Sequence, residues 1–395
     1  MANQTLVRHV NERRLLAALR LEGPQPRAAL ARRLSLTRAA ISDMVEDLLS
    51  RGLVVEIVSA RTRGRRDVGR PGIDLGLRAD GAFFLGAEIG VGVLRLALSD
   101  LAGTIVDTRS LPLGPADGPA RVVALMAESL VQFGARAAYR GRIRAVGVTV
   151  PGLVRRDGHV VNLPILGWRD VPLARLLAEA LAVPVHLANN ANAAAFGHIH
   201  LKARAPGEVS VYLKLGTGCG GAVIDGDRLV RGADGLGTEF GHIPIAPSGP
   251  ACHCGQSGCL ETFVNIRALQ RYFAHEEVDE QEADLTLPAR VAERAAAGDP
   301  AARGAIETIA QHLLQGLVII TNIFNPSEII LGGAMLPILP ALAETLEDRL
   351  ANRIVPGMTR PRIVVSRLGP FECAIGAAAM AHHEEFDLSN VDLAG

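Results

Sequence analysis

Between Val10 and Leu48, apolar side chains recur three and four positions apart, the spacing of helices with one buried face. Val10, Leu15, Leu16 and Leu19 form the first such stripe, which Gly23-Pro24 ends. Leu30 and Leu34 mark a short second helix over Arg27 to Leu34. Ile41, Met44, Val45 and Leu48 mark a third, running to Leu49 with Thr37 as its N-cap. After Gly52 the period changes, and Leu53 to Val58 and Ile73 to Leu77 read as a strand and its return. Two helices joined by a short turn and followed by a hairpin predict a winged helix-turn-helix over residues 1–78.

Downstream the pattern alternates between apolar strands and helical stripes. Phe83 to Asp100 reads as a hairpin with glycines at its bend, and Ala145 to Val150, Val183 to Leu187, Val209 to Leu215 and Ala222 to Ile224 as further strands. Helical stretches are expected at 119–138, 172–182, 190–203, 262–273, 287–297 and 301–323. Polar or glycine clusters close several strands: Pro151-Gly152, Asn189-Asn190 and the glycine run 216–221. This is an α/β body whose site lies at the strand ends.

Charge changes the picture of the head. The 395 residues sum to zero net charge with a mean hydropathy of +0.23, which argues against disorder. Residues 1–78, however, hold 15 Arg, no Lys and 8 acidic residues, leaving +7 there and −7 on the remainder. A basic head on an acidic body points to a polyanion on the head, and here to double-stranded DNA. Arg27, Thr37, Arg38 and Ser42 are the expected groove and phosphate contacts of the helices. Arg61, Arg63, Arg65, Arg66 and Arg70, in SARTRGRRDVGRPG, give an arginine-dense wing suited to phosphates and the minor groove. Asp43, Glu46 and Asp47 would repel phosphate, so only the first turn of the third helix should enter the groove. There is no signal-peptide pattern and no apolar run of the ~18 residues that a span needs, so a cytoplasmic location without a membrane partner is expected.

The candidate chemistry is concentrated in GLGTEFGHIPIAPSGPACHCGQSGCLE, which closes at Glu261. Cys252, Cys254 and Cys259 fall within eight positions, with His242 ten residues before the first. Three thiols and an imidazole make a closed four-ligand set, the donor pattern of structural zinc. Gly255 and Gly258 permit the tight turns that such wrapping needs. A zinc-bound His242 retains one ring nitrogen for another partner. Glu239 and Glu261 frame the knot; they can serve as acceptors for a polyhydroxylated ligand or as props for the metal ligands, and spacing leaves both open. Cys219 and Cys373 are ordinary buried thiols, and an odd total of five Cys fits a reducing compartment. Trp168 is expected as a packing anchor, and His159, His186, His198, His200 and His312 as ordinary histidines. The tail HHEEFDLSN is expected to fray.

Five segments carry a family resemblance: GVTVPGLV (147–154), NLPILGWRDVPL (162–173), NNANAAAFG (189–197), LGTGCGGAVIDGDRLVRGADGLGTEFGH (215–242) and CHCGQSGCLE (252–261). Over residues 80–380 the body resembles the ROK family of sugar kinases and sugar-responsive repressors. That resemblance implies a two-lobed actin-like ATPase fold, with a first lobe over 79–188 completed by the C-terminal helix at about 374–395, and a second lobe over 189–373. The winged head and its Gly-Arg-Pro at 69–71 resemble the repressor branch, and NNANAAAFG with the hairpin opening AEIGV (87–91) resembles the xylose-type regulators more than the N-acetylglucosamine ones. The resemblance implies His242, Cys252, Cys254 and Cys259 as zinc ligands, and Asn189, Asn190, Glu239, His242 and Glu261 as sugar contacts.

Two departures bear on catalysis. The family's kinases have Asn-Asp where this chain has Asn189-Asn190, and that aspartate is their general base; an amide cannot take the proton. Their first phosphate loop reads like Asp-x-Gly-Gly-Thr, against Glu88-Ile89-Gly90-Val91-Gly92 here. The expectation is a homodimeric or homotetrameric repressor, no catalytic residue, and release from operator DNA by an unphosphorylated aldose. A sugar kinase carrying an extra head, and a regulator controlled by a partner protein, are the competing readings.

Overall fold

The computed structural model describes residues 2–58, 73–114, 116–163, 166–200, 207–226, 228–274 and 285–386. The wing residues Arg61, Arg63, Arg65, Arg66 and Arg70 lie outside the described residues.

The head consists of helices Ala2–Glu22, Arg27–Leu34 and Arg38–Ser50 and a small antiparallel sheet in which Ile73–Leu77 lies between Val54–Val58 and Gln25–Pro26. Thr37 caps the third helix, its hydroxyl accepting the Ala40 amide at 3.2 Å. Replacing a Ser or Thr cap by Ala costs about 0.5–2 kcal/mol. Thr37→Ala should therefore lower the stability of the head by about 1 kcal/mol, measured by denaturant unfolding. Ser35 takes a left-handed φ of 56°, which turns the second helix into the third.

The body is built on two five-stranded sheets with the same plan. In the first, Phe83–Ile89, Val93–Asp100 and Ile105–Pro112 run antiparallel to their neighbours, and Ile143–Val150 and Val185–Asn189 add in parallel beside Phe83–Ile89. In the second, Val209–Leu215, Cys219–Asp225 and Arg228–Leu229 form the antiparallel part, and Glu328–Gly332 and Arg362–Val365 the parallel part. Each sheet anchors its own apolar core, and the repeated plan is the two-lobed actin-like arrangement.

The C-terminal helix Glu372–Phe386 packs on the first sheet, remote from it in sequence. The contact requires glycine. A Cβ added at Gly86 would lie 1.9 Å from the Ala374 carbonyl oxygen, and one at Gly147 would lie 1.9 Å from that of Ala377. Of the tail expected to fray, residues 387–390 lie outside the described residues; 382–386 are helical instead, the helix running to Phe386 with His382 and His383 buried. Rings of Phe84 and Phe196 pack on them, a tertiary effect that local polarity does not reveal. Trp168 is buried as expected, its Nε1 donating to the Asp117 carbonyl at 3.3 Å.

Head and body share one core. Leu15, Leu19, Leu30, Ile41 and Leu48 of the head are continuous with Phe84, Leu101, Ala145 and Ala381 of the body.

Candidate ligand cleft and metal centre

The candidate metal centre is assembled by a loop with little regular structure. His242 ends the single turn Phe240–His242, where its amide donates to the Glu239 carbonyl at 3.0 Å. Two isolated bridges, Pro244 with Cys259 and Ala251 with Ser257, hold the cysteine arm. Gly258 has a φ of 73°, and a Cβ there would sit 1.5 Å from the Ala246 carbonyl oxygen, so no other residue fits. The donor atoms of His242, Cys252, Cys254 and Cys259 lie within 4.8 Å of one another. Cys254 Sγ stands 3.6 Å from Cys259 Sγ, and Cys252 Sγ 3.5 Å from His242 Nδ1. Bonds of about 2.0–2.3 Å to a tetrahedral ion put donors about 3.5–3.8 Å apart. The four residues therefore can hold a metal ion.

The imidazole presents its two nitrogens to different neighbours. Nδ1 faces Cys252, with Glu261 Oε1 4.0 Å away, while Nε2 faces Glu239 Oε2 at 3.9 Å. Glu261 is fixed at both ends of its carboxylate: Oε1 accepts from Cys252 Sγ at 3.2 Å and Oε2 from the Cys219 amide at 3.3 Å. Desolvation at the cleft wall holds the Glu239 carboxyl above its ordinary value, against the pull of His242 and with the push of Glu261. Burial pushes the Cys252 thiol up, whereas the Gln256 amide draws Cys254 down. A bound divalent ion deprotonates coordinating thiols outright.

Beside this centre a narrow cavity is lined by Gly152, Leu153, Asn189, Asn192, Gly221 and Glu239. Asn189 caps the helix Asn190–Ile199 by accepting the Ala191 amide at 2.7 Å, and its Nδ2 donates to the Gly152 carbonyl at 2.9 Å. The cap fixes where the amide points, and one donor hydrogen and a lone pair stay available to a ligand. Asn192, two residues past the expected Asn190, reaches the same cavity and was not foreseen. Of the expected sugar contacts, Asn189 and Glu239 line this cavity; His242 and Glu261 are not in its lining, and connect to it through Glu239, which His242 Nε2 faces, with Glu261 on the Nδ1 side of the same ring.

Asn190 turns elsewhere. Its Nδ2 lies 3.5 Å from Glu88 Oε1, and its Oδ1 is buried without a hydrogen-bond partner among the described residues. Glu88 in turn pairs with Arg95 at 3.2 Å. Nearby, Tyr212 donates to Glu372 at 2.7 Å, and Lys214 Nζ lies 4.0 Å from Glu372. Burial pulls the Lys214 ammonium down, but Cys373, Glu88 and Glu372 outweigh it and keep it charged. The glycine run 216–221 opens with the bend of a tight hairpin at 216–218, where the Gly216 amide donates to the Gly218 carbonyl at 2.9 Å, and continues into the strand Cys219–Asp225.

On the head, Thr37 and Arg38 are exposed at the start of the third helix and Ser42 is half-buried one turn on. Arg27 is already engaged, with Nη2 2.7 Å from Glu56 of the wing strand. No helix among the described residues is long and apolar enough to cross a membrane.

The chain is 28% identical over 391 residues to the xylose repressor of Bacillus spizizenii, covering 98% of this chain and 99% of that protein. The crystal structure of a ROK family transcriptional regulator, a homologue of the E. coli MLC protein, superposes with a TM-score of 0.80 at 26% identity, covering 97% of each chain. The ROK hexokinase of Thermus thermophilus matches with a TM-score of 0.64 at 32% identity, covering 78% of this chain and 100% of that one. The ROK family model matches residues 84–384, most of the chain, so the protein belongs to the ROK family.

Proposed function

We propose that the protein is a sugar-responsive transcriptional repressor. Its head binds operator DNA, and an unphosphorylated aldose of the xylose type, entering the cleft, releases it. The single observation that carries this reading is the split between two neighbouring corners of one cleft. On the polyol side Asn189 and Glu239 line the cavity, with His242 beside Glu239 and Glu261 beside His242; next along the chain, on the side where the family's kinases keep their base, stand the Asn190 amide and a Glu88–Arg95 ion pair. A sugar can be recognised there, and the general base for its activation is missing. The xylose repressor's match over nearly its full length, head included, supports the same reading.

The residues divide the work as follows. Glu239 and Glu261 accept from sugar hydroxyls, His242 Nε2 donates, and Asn189 and Asn192 fix the sugar's orientation. Buried Asn190 Oδ1 gains the hydrogen bond it lacks if the sugar or the closing cleft supplies a donor. His242, Cys252, Cys254 and Cys259 hold zinc, whose contribution is to fix this wall of the cleft. The first lobe, residues 79–188 with the C-terminal helix, and the second lobe, 189–373, close on the ligand. The head, residues 1–78, contacts phosphates and bases through Arg38, Thr37, Ser42 and the wing arginines. Paired heads in a homodimer or homotetramer read half-sites about 34–36 Å apart or a multiple of that. Operator binding places the protein in the cytoplasm with the chromosome.

A hundredfold release of operator requires about 2.8 kcal/mol of unequal sugar affinity between the two protein states. The test is fluorescence anisotropy on the duplex upstream of the protein's own transcription unit, titrated in the presence of a panel of aldoses. One aldose, D-xylose in the first instance, should weaken binding at least tenfold, and Glu261→Ala should abolish that response while leaving sugar-free DNA affinity intact. A duplex affinity indifferent to every sugar would sink the reading.

A further inference from the structure

We propose that Arg20 is the positioning residue through which the ligand cleft sets the pose of the DNA-binding head, and that the helix Asn190–Ile199 is the rod between them. The inference rests on the repressor reading above and names the contact that carries its signal.

The rod begins in the cleft. Asn189 caps it and lines the ligand cavity together with Asn192, while Asn190 between them is buried against Glu88, so two polar side chains at the start of this helix face the proposed sugar. Ten residues of α-helix carry the chain about 15 Å away. At the far end the His200 amide still bonds to the Phe196 carbonyl at 2.9 Å, so the helical geometry persists to that residue. The final carbonyls of a helix have no partner within it. The His200 carbonyl finds one across 180 positions of sequence: Arg20 Nη1 donates to it at 2.7 Å. A guanidinium at a helix C-terminus is also favoured by the helix dipole.

The rod is stiff where it must be. A Cβ added at Gly197 would lie 2.8 Å from Gly376 Cα, and one at Gly376 would lie 1.9 Å from the Ala193 carbonyl oxygen. Backbone therefore rests on backbone where this helix crosses the C-terminal helix. Ala193, Ala194 and Ala195 are wholly buried around that crossing. Close-packed interiors transmit displacement and do not absorb it. A shift imposed on Asn189–Asn192 by a bound sugar thus reaches His200 with little loss.

Arg20 lies in the last turn of the first head helix, whose Leu15, Leu16 and Leu19 belong to the core shared with Phe84, Leu101 and Ala381. Between the head strand ending at Leu77 and the body strand starting at Phe83 stands only the turn Ala79–Gly81. The head is seated directly on the body, and apolar packing, being non-directional, tolerates more than one seating. The Arg20–His200 bond is directional and selects one of them.

The experiment compares wild type, Arg20→Ala and Arg20→Lys as full-length protein, using D-xylose and the upstream duplex. Xylose affinity is read by calorimetry and duplex affinity by anisotropy with and without xylose. Arg20→Ala should keep xylose affinity within twofold while its xylose-induced change in duplex affinity shrinks at least fivefold. Arg20→Lys, which keeps a charged donor, should restore most of the change. Hydrogen exchange gives a readout without DNA: xylose should alter protection of residues 15–22 in wild type and leave them unchanged in Arg20→Ala. An Arg20→Ala protein that couples sugar to DNA as wild type does, or whose head amides still respond, overturns the proposal and leaves the repressor reading standing. A wild-type protein whose duplex affinity ignores xylose overturns the repressor reading for that sugar, and the proposal with it.

Discussion

Purified protein should carry one zinc ion per chain, and Cys259→Ser should lose both the ion and the stabilisation that sugar confers. The loop from His242 to Glu261 is held by two isolated bridges and a few turn hydrogen bonds, with no helix or sheet of its own. Ile243, Ile245 and Leu260 pack it on the core of the second sheet, and the cysteine arm is constrained further by the convergence of four donor atoms within 4.8 Å. Structural zinc contributes about 10–16 kcal/mol apparent in isolated zinc-binding peptides, and even a fraction of that matches the ~5–15 kcal/mol net stability of an ordinary domain. Cys259 is 1% exposed, and its backbone pairs with Pro244, so a ligand lost there frees both arms of the loop. Glu239, His242 and Glu261 would then lose their common geometry, because His242, one of the four candidate ligands, neighbours both carboxylates. Metal analysis, with thermal unfolding measured before and after chelation and with and without xylose, checks this. Full sugar stabilisation in metal-free protein would contradict it.

Legibility in the sequence followed the range of the forces involved. The head helices were readable almost to the residue, because amphipathic stripes, the Thr37 cap and the Gly23-Pro24 and Gly52 stops are local signals. The convergence of His242, Cys252, Cys254 and Cys259 was readable because four rare side chains fell close together. The strands Glu328–Gly332 and Arg362–Val365 were missed; the first is buried on both faces, so its EIILG run carries no alternation. Ile105–Pro112 was missed although its residues do alternate between half-buried and exposed, the signature of an edge strand. The single helix expected over 262–273 is broken at Asn265, whose side chain accepts the Ala268 amide at 2.8 Å. The Glu88–Arg95 pair was within reach: once Phe83–Asp100 is read as a hairpin bent at Gly90–Gly92, those two residues face each other in register. Arg20 was not, since its partner is a backbone carbonyl far along the chain and no composition marks it.

No sugar phosphate should form when the protein is given ATP, magnesium and xylose or glucose, and Asn190→Asp alone should not change that. Losing a positioned general base lowers rate by about 10²- to 10⁴-fold, and the Asn190 amide has no basic atom to offer. Restoring the carboxylate meets a second obstacle in this cleft. Asn190 Nδ2 lies 3.5 Å from Glu88 Oε1, and Asn190 and Glu88 are both about 5% exposed. An aspartate introduced there faces an existing carboxylate at close range in a poorly solvated corner, where like charges and burial both favour the protonated acid. A protonated acid is no base. Arg95, 3.2 Å from Glu88, relieves part of that repulsion, but its guanidinium is then committed to the ion pair and cannot serve a transferring phosphoryl group. A coupled assay for ADP release, run on wild type and Asn190→Asp beside a competent ROK glucokinase, decides the matter. Sugar-dependent turnover by wild type near the kinase's rate would show that the corner occupied by Glu88, Arg95 and Asn190 opens during catalysis, and the protein would then have to be counted among the family's enzymes.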